Sequence, residues 1–274
     1  MPGKLYVVGT PIGNLEDMTY RAVRILSEAD FICAEDTRVT LKLLNHFDIK
    51  KPLVSCHRHS EAGVTERIAA RIADGEVCAV VSDAGMPCIS DPGFELVVLC
   101  REMDIPVESV PGPTAVTTAA AICGIPSVRF AFEGFLSVSK KQRNERLAEL
   151  SKDSHTLIFY EAPHKLKATL SDMLAYFGDR RIAICRELTK VHEEVLRFTL
   201  SEAVQYYDEV NPKGEFVIVV EGAGKAEEQE YTMETAVAEA VRLIENGMKP
   251  TDACKQAAML TGFKKGEIYA AIRR

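Results

Sequence analysis

The chain has 274 residues, 47% of them apolar, with 33 basic and 40 acidic side chains and a formal net charge of −7. That length exceeds one ordinary domain and predicts two with full cores. The negative balance excludes a protein that coats nucleic acid non-specifically, though not one with a local basic face. No apolar run reaches the roughly 18 residues of a membrane span. No basic-then-apolar leader precedes the first apolar run, so a cytoplasmic protein without membrane attachment is expected. None of the eight cysteines forms a CxxC pair, and Cys33, Cys78 and Cys185 sit inside apolar runs, which predicts buried, reduced thiols.

In chain order, short apolar runs predict strands over residues 5–8, 31–34, 53–55, 78–82 and 107–110. Helical patterns lie between them at 20–29, 40–47, 61–74 and 94–103. Pro111-Gly112-Pro113-Thr114 opens a further helix over 115–123, stopped by Gly124 and Pro126. Strand and helix in alternation predict a mostly parallel sheet with helices on both faces. Beyond Pro126 the strands fall at 130–135, 156–160, 182–185, 195–199 and 215–221, with helices at 165–177 and 201–209. Their close spacing predicts a mixed sheet with antiparallel pairs. Residues 137–151 are polar and partly basic. A linker at 223–229 leads to helices at 233–245, 251–260 and 266–272. The expected organisation is therefore an α/β domain over 1–125, a second over 126–222, and a linker with a helical, basic extension over 223–274.

The chemically informative residues gather at strand ends. The first strand runs into Gly9-Thr10-Pro11-Ile12-Gly13-Asn14. This turn is neither GxGxxG nor a P-loop, and Pro11 removes an amide that a pyrophosphate would need. The next strands end in Glu35-Asp36-Thr37-Arg38, in Cys56-His57-Arg58-His59, in Ser82-Asp83-Ala84-Gly85 continued through Ser90-Asp91-Pro92-Gly93, and in Pro111 to Ala115. Glycines, carboxylates and imidazoles along one edge of a parallel sheet predict a ligand cleft. Blander roles stay open: Asp83-Ala84-Gly85 as a plain turn, Thr114 as a helix cap, Glu35, Asp36 and Arg38 as a surface ion pair worth about 0–1 kcal/mol. His57 and His59 lack a third ligand at useful spacing, so no metal is expected. In the second half, Tyr160-Glu161-Ala162-Pro163-His164, Arg186-Glu187-Leu188-Thr189-Lys190 and Gly214-Glu215 adjoin strands, either as solvated caps or as functional groups.

VGTPIGNLEDMTYRA, AEDTR, VSDAGMPCISDPG, PGPTA, FEGFL, LIFYEAPHKL, RELTK and GEFVIVVEG follow one another across about four-fifths of the chain. Together they resemble the tetrapyrrole (precorrin-type) methylases, the class III S-adenosylmethionine methyltransferases. The resemblance implies the two-domain α/β fold of that family, a homodimer, and S-adenosylmethionine held in the interdomain cleft. It implies that Pro11 lines the cleft, that Asp83, Ala84, Gly85, Met86 and Ile89 border the cofactor, and that Thr114 and Ala115 lie near its methionine or ribose. Tyr160, Glu161, Leu188 and Gly214 would enclose adenine and sulfonium. TPIGNL, AEDTR and the SDAG…SDPG loop, where corrin-type relatives generally carry Gly-Asp-Pro, resemble the branch acting on small-subunit ribosomal RNA. Its implied substrate is a cytidine ribose 2′-oxygen in the decoding region, in free RNA or the assembled 30S subunit. A relative acting on a small molecule or protein side chain, or a non-catalytic RNA-binding module, is the alternative.

A ribose hydroxyl is a poor nucleophile, so a base or a stabilising cation is expected. Glu161, Glu187 and Lys190 are the first candidates, followed by His164, Asp36 and His57. RNA contacts are expected from Lys140, Lys141 and Arg143, with Arg146, and from Lys264 and Lys265 among the basic residues of the tail. Residues 251–272 read either as a helix-turn-helix unit that docks on RNA or as a dimerisation or packing appendage.

Overall fold

The computed structural model describes residues 3–56, 63–224 and 232–272. They form two compact units, Met1–Gly222 and Ala223–Arg274. In the first, β1 (Lys4–Val8), β2 (Phe31–Ala34), β3 (Leu53–Ser55), β4 (Val77–Val81) and β5 (Val107–Val110) make an all-parallel sheet of order β3-β2-β4-β1-β5. All four residues of β2 are buried, as a parallel strand covered on both faces requires. α1 (Tyr20–Glu28) and α2 (Thr37–His46) cover one face through Ala22, Ile25, Leu26 and Leu44. α3 (Val64–Ala73) and α4 (Phe94–Glu102) cover the other through Ile68, Ile72 and Leu96. α2 begins three residues before its apolar periodicity, because Asp36 caps it by accepting from the Arg38 amide at 2.8 Å.

The second sheet contains β6 (Phe130–Phe135), β7 (Thr156–Glu161), β8 (Arg181–Arg186), β9 (Glu194–Thr199) and β10 (Phe216–Val220), in the order β6-β7-β10-β8-β9. Only β6 and β7 run parallel, so the sheet is mixed as expected. α6 (Lys140–Leu150), α7 (Pro163–Phe177) and α8 (Leu200–Glu209) bury one face through Leu147, Leu150, Leu166, Leu170 and Tyr207. α6 falls in the stretch read from sequence only as polar and partly basic. It buries just Leu147 and Leu150, too few apolar positions to show a helical period.

α5 (Ala115–Ile122) joins the two sheets. It leaves β5 of the first but packs Val116 and Ala119 against Ile158, Ala183, Cys185 and Val217 of the second. From β9, Arg197 donates through Nη2 to the Ile122 carbonyl at 2.7 Å and through Nε to the Cys123 carbonyl at 2.9 Å. A cation is thus placed where the helix dipole favours one.

In the second unit, α9 (Met233–Glu245), α10 (Pro250–Thr261) and α11 (Lys265–Ile272) pack around Ala236, Ala240, Cys254, Ala257 and Ile268. No described helix is long and apolar enough to cross a membrane. The eight cysteines are free, and all but Cys88 are buried. Burial pushes the thiols of Cys56, Cys88 and Cys100 up to about 11 and that of Cys185 up to about 12.

The loops after β1 and β5 touch backbone to backbone. A Cβ on Gly112 would come within 2.9 Å of the Gly9 Cα, and the Gly9 amide donates to the Val110 carbonyl at 3.0 Å. Gly112→Ala is therefore expected to cost roughly 1–3 kcal/mol through overpacking. A denaturant midpoint equal to wild type would show that the two loops are not in contact.

Candidate functional site

Because β1 to β5 all run one way, their carboxyl ends share an edge, and the loops leaving them are tied together there. The Thr10 amide donates to the Gly85 carbonyl at 2.9 Å and the Gly85 amide to the Thr10 carbonyl at 3.1 Å. The Asp36 amide donates to Asp83 Oδ1 at 3.0 Å. Between this edge and the second sheet lies a cavity of about 680 Å³. Its apolar wall includes Ile12, Met86, Val116, Phe132, Leu188 and Val217. Five carboxylates reach it (Glu35, Asp83, Asp91, Glu161 and Glu215), and the described lining residues include no Lys, Arg or His. Such a pocket suits a ligand with an apolar body and a positive charge, and opposes a pyrophosphate.

Of the residues expected beside a cofactor, Asp83, Ala84, Gly85, Met86, Ile89, Thr114, Ala115, Tyr160 and Leu188 line this cavity. Pro11 is buried and does not line it; Ile12, the next residue, does. Gly214 stands behind the wall and Glu215 on it. Burial pushes the Tyr160 hydroxyl up to about 12, although the Val116 backbone opposes this. Sequence reasoning also missed Phe132 and Phe135, which FEGFL contained but to which no role was attached.

The ionisable candidates separate sharply. Glu161 is 3% exposed and lines the cavity. Its Oε2 accepts from Thr169 Oγ1 at 2.6 Å and its Oε1 from the Ala162 amide at 2.9 Å, tying the end of β7 to the start of α7. Glu187 and Lys190 do not line the cavity. Glu187 accepts from Lys190 Nζ at 2.9 Å and from the Glu215 amide at 2.9 Å, and Lys190 also reaches Glu215 Oε2 at 3.0 Å. Gly214 makes room for this, since a Cβ there would lie 2.7 Å from the Glu187 carboxyl. The Lys190 hydrogen bond holds the Glu187 carboxyl below its usual range. Burial pulls the Lys190 ammonium down, but its bonds to Glu187 and Glu215 outweigh this and leave it raised. Lys190 is thus an ammonium paired with both Glu187 and Glu215.

The same brace shapes the turn at Leu188. Glu187 and Thr189 take φ of 51° and 66°, conformations costing about 1–3 kcal/mol each unless the surroundings enforce them. The enforcing bonds run from the Glu187 amide to the Glu215 carbonyl at 3.0 Å and from the Thr189 amide to Glu193 Oε2 at 2.6 Å. Asp36 is drawn down to about 2 by Arg38, and His164 is exposed. His57 and His59 lie outside the described residues, and no metal-binding cluster occurs among the described ones.

The basic residues divide as well. Arg143 is engaged within the fold: Nε donates to Asp172 Oδ2 at 2.7 Å and Nη1 to the Ser137 carbonyl at 3.2 Å, bridging α6 to α7. Arg146 is held by Glu133 and Glu149. Lys140 and Lys141 are exposed, Lys141 lying 3.9 Å from Glu145. Lys264 and Lys265 are exposed at the start of α11, while Arg273 and Arg274 lie outside the described residues.

Residues 4–204 match the family model of the Tetrapyrrole (Corrin/Porphyrin) Methylases. The Ribosomal RNA small subunit methyltransferase I of Halalkalibacterium halodurans is 50% identical over 270 residues, 97% of this chain and 93% of that one. The protein of the same name from Thermotoga maritima is 47% identical over 220 residues, 80% of this chain and 99% of that one. Among solved structures, the Uroporphyrin-III C-methyl transferase from Thermus thermophilus complexed with S-adenyl homocysteine superposes with a TM-score of 0.55 at 20% identity, over 79% of this chain and 97% of that one. The parallel sheet, the mixed sheet and the cleft between them are thus those of a known fold, and the chain belongs to the tetrapyrrole (corrin/porphyrin) methylase family.

Proposed function

We propose that this protein transfers a methyl group from S-adenosylmethionine to the ribose 2′-oxygen of a cytidine in the decoding region of small-subunit ribosomal RNA. The observation that carries the reading is the cleft, largely apolar in its walls and with carboxylates as its charged lining residues, in a chain 50% identical to a ribosomal RNA small subunit methyltransferase. Its residues fit that donor: carboxylates for a cation, and Val116, Leu188 and Val217 for a flat apolar ring. When bound, S-adenosylmethionine supplies an activated methyl group on a positively charged sulfur.

The chain's work is then mainly alignment, which alone accelerates a transfer strongly. The halves 1–125 and 126–222 each contribute a wall: Asp83 to Met86 with Thr114 and Ala115 from one, Tyr160 and Leu188 from the other. Glu161 has a free lone-pair site beyond its two accepted hydrogen bonds and orients the acceptor hydroxyl. Glu187 and Lys190 act one layer behind, holding the Leu188 turn in shape. Lys140, Lys141, Lys264 and Lys265 meet RNA phosphates, and 223–274 serves as an accessory grip. The 220-residue match to the Thermotoga protein, close to the length of Met1–Gly222, supports that division. On this reading the enzyme works in the cytoplasm as a homodimer; Val128 and Phe94, 98% and 61% exposed, are apolar side chains that a second copy would cover.

Tritium from labelled S-adenosylmethionine is expected to appear in the RNA of small subunits lacking this methyl group. Label on a tetrapyrrole or protein acceptor instead would sink the assignment. Lys190→Met should lower turnover yet keep the shape of the pH–rate profile across about pH 6 to 9; losing one limb of that profile would restore Lys190 as the base. Arg143→Ala should lower stability by about 1–3 kcal/mol with unchanged RNA affinity. The double variant Lys140→Ala, Lys141→Ala should instead weaken RNA binding and flatten its salt dependence. The opposite pattern would return Arg143 to the RNA surface.

A further inference from the structure

Phe132 and Phe135 stand three residues apart on β6, a spacing that points side chains to opposite faces of a regular strand. Here the register slips. Phe132 pairs with Ile158, Gly134 with Phe159 and Phe135 with Tyr160. Ile158 and Tyr160 share a face, so the extra residue, Glu133, returns Phe135 to the side already occupied by Phe132. Glu133 itself turns to accept from Arg146 Nε at 2.9 Å and Nη2 at 2.8 Å. Gly134 takes φ of 64°, and a Cβ on it would lie 3.2 Å from Ser90 Oγ, which leaves little room for a side chain there.

The bulge aims both rings at Tyr160, with centroids at 4.8 Å for Phe132 and 5.5 Å for Phe135. Phe132 is half-buried in the wall, whereas Phe135 lines the cleft and is still 57% exposed. Lys165 Nζ, on the first turn of α7, stands 5.9 Å from the Phe135 centroid. Strand order fixes where this ring lies. From β8, which ends before Leu188, the sheet passes through β10 and β7 to β6, three strand spacings or about 14 Å at ~4.8 Å each. The Leu188 end is closed by the first loop, since a Cβ on Gly13 would sit 3.1 Å from the Leu188 carbonyl oxygen. The Phe135 end opens to solvent.

We propose that Phe135 is the platform on which the nucleobase of the acceptor nucleotide stacks, with Lys165 beside it to meet a phosphate of the same strand. The inference rests on the RNA-methylation reading and deepens it. A ribose that is to reach Glu161 inside the cleft has to leave its stack, and an exposed aromatic ring replaces the lost stacking. The ring lies at the mouth, with the ribose then directed inward toward Glu161 and the carboxylate-lined interior. A bulge that brings a half-exposed apolar ring to the mouth of the cleft is accounted for by a planar group arriving there.

The test uses the full-length enzyme, tritiated S-adenosylmethionine and small subunits lacking the methyl group. Phe135→Ala should raise KM for the subunit about tenfold, as alanine substitution at stacking platforms does. Phe135→Tyr, which keeps the ring, should recover most of that loss. Donor affinity by calorimetry, molar mass by light scattering and the thermal midpoint should stay at wild-type values in both variants. A wild-type KM in Phe135→Ala overturns the platform. So does an equal weakening of donor binding, which would assign the ring to the donor pocket, or a changed mass, which would assign it to contact between copies. If wild-type enzyme labels no RNA, the RNA reading fails and the platform with it; an active wild type beside an unimpaired Phe135→Ala fails the platform alone.

Discussion

Helix α5 belongs to both halves of the first unit. Its chain direction and its Thr114 cap derive from the first sheet, while its buried side chains, Val116 and Ala119, pack into the core of the second. Arg197 clamps its far end from β9. The two sheets are consequently held at a fixed separation by a packed hydrophobic interface, and the cleft is the space that remains beside it. Thr114 and Ala115 line that space because they start the helix that makes it. The walls are preformed, and a ligand entering them need not supply the energy to assemble them.

Much of this was legible in the residues. Continuous apolar runs such as Phe31–Ala34 mark strands buried on both faces, and the glycines and carboxylates that follow them fall on one edge because parallel strands all end there. What the sequence withheld was orientation. Whether Ile12 or Pro11 faces the ligand, or Glu215 or Gly214, depends on a single rotation of the chain within a loop. The β6 bulge was equally hidden, because an inserted residue is visible only against the partner strand. α6 escaped notice because a helix resting on two leucines has almost no apolar stripe.

The ionisable residues teach a related lesson. RELTK and YEAPH place carboxylates and a lysine beside the ligand, but proximity in sequence does not distinguish a side chain facing the cavity from one bracing the wall. Glu187 is committed to Lys190 and to the Glu215 amide, with Gly214 leaving space for it. Arg143 is likewise spent on Asp172. Charged groups that brace the fold away from the cavity are structural parts, and the charged side chains that line the cleft are carboxylates. That inventory is one of groups that attract a cation.

The thiols carry a practical consequence. With the sulfhydryls of Cys56, Cys88 and Cys100 pushed up by burial, little of the reactive anion forms at them at neutral pH. Alkylating reagents and peroxide should find little to attack while the fold is intact. A maleimide reporting rapid labelling of Cys56 or Cys100 would then be reading loss of packing, so these two buried side chains can serve as built-in gauges of unfolding.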